Sequence, residues 1–579
     1  MEATRSFRAT TILQLAVVSG LVALLLSVMG MVQAFSQRDI VARLISLGEL
    51  LILSIILVFS SLAAGRSAGS AAPLRVLGGL LVGVVTELAL VGLVVLGQQV
   101  NLRTVFPNIS PALFETLQFG RAAPGSYLYM LGAGAVGGVA GSVLQLLPSR
   151  LRRAVVTGII LVATLGLLED LIRITLGNMP AVAGATAWMF ATGVENGLTT
   201  VGAAASFVVA GAISFYGRTV RSAVEARSRR LPERSRRGLG YGGLLVLLLL
   251  VLVLPQALGS IISDITNYVG IFLLMALGLN IVVGYAGLLD LGYVAFFAIG
   301  AYTMGVLTTT AIGPEAGQIV WGLGLTFWEA LPFAVGLSIL AGVLLGIPVL
   351  RMRGDYLAIV TLGFGEIVRI LALSDFLKSF IGGSQGIVEV GVPTVASVVA
   401  NTPQTLYYVI VLFAAVGVFI TIRLRDSRLG RTWMAMREDE DVAQAMGIRL
   451  VPTKLLAFAT GAALAGLAGA VSAARLGTVY PHSLNLLVSI NVLSIVIIGG
   501  MGSIPGVIVG SLALIGLPEL LREFSDFRYF VFGAVLIAMM LFRPEGLWPE
   551  AARRRELHEV PAAETEGAAV AEVSVEAVA

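Results

Sequence analysis

Residues able to do chemistry are few in this chain, and their absences are as informative as their positions. There is no cysteine, which removes disulfides, thiolate metal sites and cysteine nucleophiles. Two histidines, His482 and His558, cannot make a histidine-rich metal site, and no metal is expected. A phosphate-cradling Walker loop needs a lysine directly after glycine. The two lysines follow Leu377 and Thr453, as Lys378 and Lys454, so no such loop exists here.

What remains is glycine and charge inside apolar stretches. Two glycine-rich interruptions stand out: Gly284-Tyr-Ala-Gly287-Leu-Leu-Asp290-Leu-Gly292, and Gly499-Gly500-Met-Gly502-Ser-Ile-Pro-Gly506. Glycine and proline break or kink helices. Exposed backbone at membrane depth is tolerated only inside protein or beside a wet cavity. Paired breaks therefore point either to a solute path near the midplane or to close helix packing through small residues. Asp290 lies within the first break, as a path-lining or an interfacial group. Glu366 and Arg369, three apart, can pair on one helix face. Glu87, Glu169 and Asp170 fall in or near other apolar runs. Buried carboxylates of this kind could serve a proton relay; for Glu366 and Arg369 a structural ion pair is favoured.

The polar stretch Arg428–Gly447 is a different object. It reads as a short amphipathic helix ended by Gly447 as a left-handed cap. Trp433 to Met436 supply apolar contacts, and Arg437, Glu438 and Asp441 supply charge, with Ala443 between them and the cap. It suits either a solvated surface helix or one that docks a soluble partner and passes movement into the membrane.

The elements positioning these residues follow from composition. Of 579 residues 57% are hydrophobic and 12% charged, with a mean hydropathy of +0.94, whereas soluble domains carry about 25% charge. Only helices or closed barrels span lipid, and unbroken apolar runs exclude the alternation of a barrel. The expected fold is all-α, a polytopic membrane bundle. Spans need about 20 apolar residues each, and the chain offers roughly sixteen candidate segments, some broken or re-entrant.

Six of these lie near 11–33, 44–64, 75–97, 126–147, 154–176 and 198–216. The first, Thr11 to Val32, is too long for a signal h-region. Loops on one side carry fifteen arginines, among them Arg5, Arg66, Arg75, Arg150 and eight between Arg218 and Arg237; the other side carries Arg38, Arg43, Arg103, Arg121 and Arg173. The positive-inside rule then places the N-terminus in the cytoplasm. The net charge of +4 is loop charge of this kind, and no nucleic-acid partner is expected. Residues 217–243 form an Arg-rich linker, read as cytoplasmic, with anionic lipid or RNA as alternative contacts.

Ten further candidates run from 244–262 through 267–283, 291–310, 328–350, 356–374, 405–422, 454–474, 486–499 and 506–521 to 528–543. Seven basic residues between Arg423 and Lys454 place that loop, and with it the C-terminus, in the cytoplasm. The expected division is 1–216 as a six-span extension, 217–243 as linker, 244–550 as the main membrane domain and 551–579 as a disordered tail.

Residues from about 265 to 548 resemble the LivM-type permeases of branched-chain amino acid ABC importers. Six stretches carry the resemblance in family order: Ala276–Tyr302, Arg353–Arg369, Gly382–Ile387, Leu429–Ile448, Gly499–Ser503 and Arg543–Leu547. It implies a transport subunit of the inner (plasma) membrane without catalytic residues. It further implies a second, LivH-like permease, two cytoplasmic ATPase subunits that hold ATP and Mg, and a periplasmic or surface-anchored solute-binding protein. Asp441-Val-Ala-Gln-Ala-Met-Gly447 resembles the loop motif that fits the ATPase cleft, with Asp441 at the usual Glu position. The family usually has Ser and His where this chain has Asp290 and Tyr293, which opens the substrate class. The first 240 residues resemble neither that core nor the asparagine-phenylalanine-alanine-histidine-glycine signature of the partner permease. A proton- or ion-coupled secondary carrier is the competing reading, and an intramembrane enzyme is weaker.

Overall fold

Apolar runs in hydrocarbon have no water to satisfy their amides, so they coil and satisfy them internally. The computed structural model follows that rule: its described residues are helical except for loops and two small hairpins, Asp39–Val41 with Ile45–Ser46 and Thr394–Val395 with Val398–Val399. The structure describes residues 9–520 apart from 68–70, 122–124, 178–183, 185, 192–195, 230–232, 314–318, 320–321, 350–354 and 396–397, together with 533, 537 and 546–549; for 218–248, 348, 349 and 355 it describes the backbone alone. The expected span 528–543 and tail 551–579 lie outside these residues. The chain forms two compact units, Met1–Leu248 and Leu249–Ala579.

In the first unit the main helices are α1 (Ala9–Val28), α2 (Leu47–Arg66), α3 (Ala72–Gln99), α4 (Gly125–Leu146), α5 (Ser149–Leu167), α6 (Glu169–Gly177) and α7 (Thr200–Arg229). Ser46 starts α2 with a capping box, its hydroxyl accepting from Glu49 N at 3.3 Å while Glu49 accepts from Ser46 N at 2.8 Å. α3 and α4 approach to backbone contact: a Cβ at Gly83 would overlap the Gly134 carbonyl, and one at Gly138 the Gly79 carbonyl. Glycines four apart on facing helices allow this where lipid supplies no hydrophobic drive.

The expected span 154–176 is instead a bent pair, turning by 66° between α5 and α6. Two carboxylates sit at the bend. Glu169 is fully buried, accepts from the Gly197 amide and pairs with Arg173 at 3.1 Å; its neighbour Asp170 pairs with Arg38 at 2.8 Å. The Arg173 pairing is local to α6 and needs no bend, whereas the Arg38 guanidinium and the Gly197 amide come from distant parts of the chain.

In the second unit the helices are α8 (Glu233–Leu279, which begins in the first), α9 (Val294–Thr308), α10 (Phe327–Val349), α11 (Asp355–Leu373), α12 (Pro403–Arg425), α13 (Arg428–Glu438), α14 (Glu440–Ala445), α15 (Leu450–Leu476), α16 (Leu486–Gly499) and α17 (Ile504–Ser511). α15 is the hub, with α9 and α10 packed along it. Small residues make this possible: a Cβ at Gly300 of α9 would overlap the Gly466 carbonyl, and one at Gly466 would overlap Ser338 of α10.

Ten helices of the described residues are long and apolar enough to cross a membrane, eleven if the bent pair is one span. The described residues do not confirm the expected sixteen segments, because a run of apolar residues does not reveal whether its helix crosses. Runs 244–262 and 267–283 join in one stretch, Leu249–Tyr285, kinked at Gly259 (φ 81°) a turn beyond Pro255. Runs 291–310, 486–499 and 506–521 are short helices, Val294–Thr308, Leu486–Gly499 and Ile504–Leu520.

The packing account predicts a contrast within α9 and α10. Gly300→Ala should destabilise the protein by about 1–3 kcal/mol, because the backbone of Gly466 cannot retreat. Gly336→Ala, whose Cβ meets nothing within 4 Å, should be neutral or stabilising by up to about 1 kcal/mol. Thermal unfolding in detergent measures both.

Candidate functional site

The first break starts inside α8, which widens into a π-helix over Asn280–Tyr285. A π turn shifts each hydrogen bond by one residue, so the last amides reach back irregularly: Ala286 N donates to Ile281 O at 3.1 Å and Leu288 N to Val282 O at 3.0 Å. The chain then crosses to α9 as a loop, and neighbouring helices supply the bonds that the ladder has lost. Leu291 N donates to Thr361 Oγ1 of α11 at 3.1 Å, and Val294 N to Ser489 Oγ of α16 at 3.0 Å. Tyr293, fully buried, donates its hydroxyl to the Gly461 carbonyl of α15 at 2.8 Å. Gly292 lies so close to α11 that a Cβ would overlap the Thr361 carbonyl.

Asp290 is fully buried in this loop. Its Oδ1 accepts from Gly292 N at 3.0 Å, and the Thr361 hydroxyl stands beside the carboxylate. Its Oδ2 has no donor at hydrogen-bond geometry among the described residues.

The second break reverses the chain between α16 and α17. Gly500 (φ 115°) and Gly502 (φ 84°) make the reversal in backbone regions closed to ordinary side chains. Ser503 caps α17 by accepting from Gly506 N at 3.1 Å. A segment near the C-terminus closes the exposed end of α16: Leu547 N donates to Ile498 O at 2.7 Å and Trp548 N to Gly499 O at 3.1 Å.

One side chain joins the two breaks. Asn280, fully buried at the start of the π turn, accepts from Gly502 N at 2.8 Å. Its Nδ2 has no acceptor among the described residues. The glycines Gly284, Gly287, Gly292, Gly499, Gly500 and Gly502 thus belong to one connected region, through a residue that the sequence reading passed over. The available signal was a lone amide in an apolar run, which costs enough to need a purpose.

The polar loop reaches the same region. The single helix expected over 428–447 is two, α13 and α14, because Asp439 (φ −157°, ψ 116°) leaves the helical region and caps the second. Its carboxylate accepts from Asp441 N at 2.9 Å and Val442 N at 3.0 Å. Gly447 (φ 89°) ends α14. Ala443 is buried, while Asp441, Val442 and Met446 face outward. Trp433, fully buried, donates to Thr453 O at 2.9 Å, and Lys454, 4% exposed, pairs with Glu440 at 2.7 Å. Arg437 points the other way. Its Nη1 donates to the Gly284 carbonyl at 2.5 Å, and its Nη2 lies 3.2 Å from Glu438. The left-handed Gly287 makes room, since a Cβ there would press on the Arg437 stem.

Glu366 and Arg369 stand apart from this cluster. They pair at 2.8 Å with about a third of each side chain exposed (35% and 32%), so the pair is not sealed inside the bundle. A pair the sequence reading did not single out, Asp264 with Arg475, ties α8 to α15 at 2.9 Å. Among the described residues no group of three or more His, Cys, Asp or Glu is placed to hold a metal.

The profile of the branched-chain amino acid transport system permease component matches residues 261–540. The high-affinity branched-chain amino acid transport system permease protein LivM of Salmonella typhimurium is 40% identical over 329 residues, covering 53% of this chain and 74% of that protein. The chain belongs to this permease family. LivM of Escherichia coli matches equally, at 40% over 329 residues. Escherichia coli LivH is 25% identical over 293 residues, 48% of this chain and 90% of that protein. No solved structure matches. The permease match includes both breaks and the loop helices, and leaves residues 1–260 outside it.

In the permease the bond between breaks should be costly to lose. Asn280→Leu strands the buried Gly502 amide and should destabilise by about 1–3 kcal/mol. Asn280→Asp, which keeps an acceptor for that amide, should retain more stability than the leucine variant; chemical unfolding of both in detergent measures the difference.

Proposed function

We propose that this permease is the membrane-spanning subunit of an ABC importer for branched-chain amino acids or similar small solutes. Two cytoplasmic ATPase subunits, holding ATP and Mg, drive it. A LivH-like second permease completes the pathway, and a periplasmic or surface-anchored binding protein delivers solute. The arginine asymmetry supports an inner-membrane position with both termini cytoplasmic.

The observation that carries the reading is the bond from Arg437 to the Gly284 carbonyl. Two adjoining loop helices turn Asp441, Val442 and Met446 outward from α14 and hold, by the Arg437 guanidinium of α13, the backbone of a broken helix. Displacement of α14 by an ATPase then reaches the break through the adjoining α13, which carries Arg437. Within the region, Asp290 has an acceptor to spare and Asn280 a donor. Those are the complements of an ammonium and a carboxylate, the two groups every amino acid presents.

Reconstituted with its partners, the permease should lose uptake by at least about tenfold, equivalent to about 1.4 kcal/mol, on Arg437→Ala or Gly447→Val. Unchanged uptake in both variants would overturn the coupling. A proton-coupled carrier is the second reading, favoured by the half-satisfied Asp290. Under it, the chain alone would take up solute along a pH gradient and Asp290→Asn would abolish that uptake. The importer reading expects no uptake by the isolated chain with or without the gradient.

A further inference from the structure

The first unit contains a cavity that the importer reading does not use. It has a volume of about 720 Å³, is open on one side where Leu128 and Val136 are exposed, and is lined mainly by aliphatic side chains of α2 and α4, such as Ile52 and Ile56. Two carboxylates interrupt that lining, Glu49 at the start of α2 and Glu87, which α3 brings in about twelve residues before Gln99, or about 18 Å along the helix axis. That depth is roughly the middle of a hydrocarbon layer. Glu87 is 3% exposed, and among the described residues no hydrogen bond or ion pair engages its carboxylate. Gly134 of α4 accommodates it, since a Cβ there would overlap the Glu87 side chain.

A second depression shares Glu49, Thr116 and Phe119 with this cavity and adds Asp39, Arg43 and Glu115. The mouth therefore presents three carboxylates and one guanidinium; Arg121 lies close by, 3.8 Å from the ring centre of cavity-lining Tyr129. No basic side chain lines the deep cavity itself. The mouth opens at the end of the unit opposite the loops bearing Arg66, Arg75 and Arg150.

We propose that this cavity is a binding site for an organic cation with an apolar body, its ammonium group set against Glu87. An isolated carboxylate at this depth is costly unless a cation meets it, and among the described residues none does. The aliphatic walls accept the guest's hydrocarbon, and the acidic mouth draws cations inward. An amino acid fits poorly, because its own carboxylate would meet two glutamates and no base. A phospholipid amine brings a phosphate with the same defect. The site is thus distinct from the solute path of the second unit and does not depend on it.

Calorimetric titration of the full chain in detergent tests this with n-hexylammonium, against hexanol and hexanoate as neutral and anionic controls. Hexylammonium should bind once per chain, with the controls at least about tenfold weaker, and Glu87→Gln should weaken it by at least about tenfold. Equal binding of hexanol would reduce the site to an apolar groove and overturn the proposal, as would no binding to folded protein. Should Glu87→Gln not fold, Ala133→Phe fills the cavity while keeping the carboxyl. It must also abolish binding, and full retention there would place the amine elsewhere.

Discussion

A helix interrupted inside hydrocarbon leaves amides and carbonyls that lipid cannot satisfy, and each one stranded costs about 1–3 kcal/mol. The permease unit is organised around that constraint. Its two breaks lie between α8 and α9 and between α16 and α17. The groups they release are met by Thr361 from α11, Ser489 from α16, Asn280 from α8, Arg437 from α13 and the backbone of Leu547 and Trp548. No break satisfies itself, so each is fastened to helices distant in sequence. The breaks can exist only in this assembly, and movement of one fastening helix changes what the others must satisfy.

The loop helices are part of this arrangement. Trp433 and Glu440 hold α13 and α14 to the start of α15 through Thr453 and Lys454, while Arg437 holds them to the end of α8. α15 is in turn the hub against which α9 and α10 pack through glycine and serine. A force on the outward face of α14 is therefore applied at two points, the hub and the break. Close-packed cores do not deform continuously, so the response open to such a unit is a shift between discrete packings.

Much of this was legible in the sequence. Composition and run length dictate the polytopic helical class. The glycine clusters mark where both breaks lie, and at the second they mark it closely, because glycine fits the left-handed reversals at Gly500 and Gly502. The span count was not legible. Hydropathy reads how apolar a segment is, whereas crossing depends on where kinks such as Gly259 and caps such as Ser503 redirect it. The split of the loop helix at Asp439 was missed for a related reason: a capping aspartate inside a charged run looks like one more surface charge. Asn280 and Arg437 were within view as residues, but their partners lie 222 and 153 positions away. A single sequence carries no signal for contacts of that range.

The buried carboxylates sort the molecule by how each is satisfied. Glu169 and Asp170 have arginines, Arg173 four residues along the same helix and Arg38 from 132 positions away. Asp290 has a backbone amide for one oxygen and nothing at bonding geometry for the other. Glu87 has no partner among the described residues, yet is buried. If burial were incidental, α3 could carry a leucine at position 87 with a gain in stability, since a lone acid in an aliphatic wall contributes nothing to packing that a leucine would not. Local rules are broken where function requires it and compensated elsewhere. By that standard the paired acids are explained by the fold, and the unpaired ones are what the proposed binding roles account for.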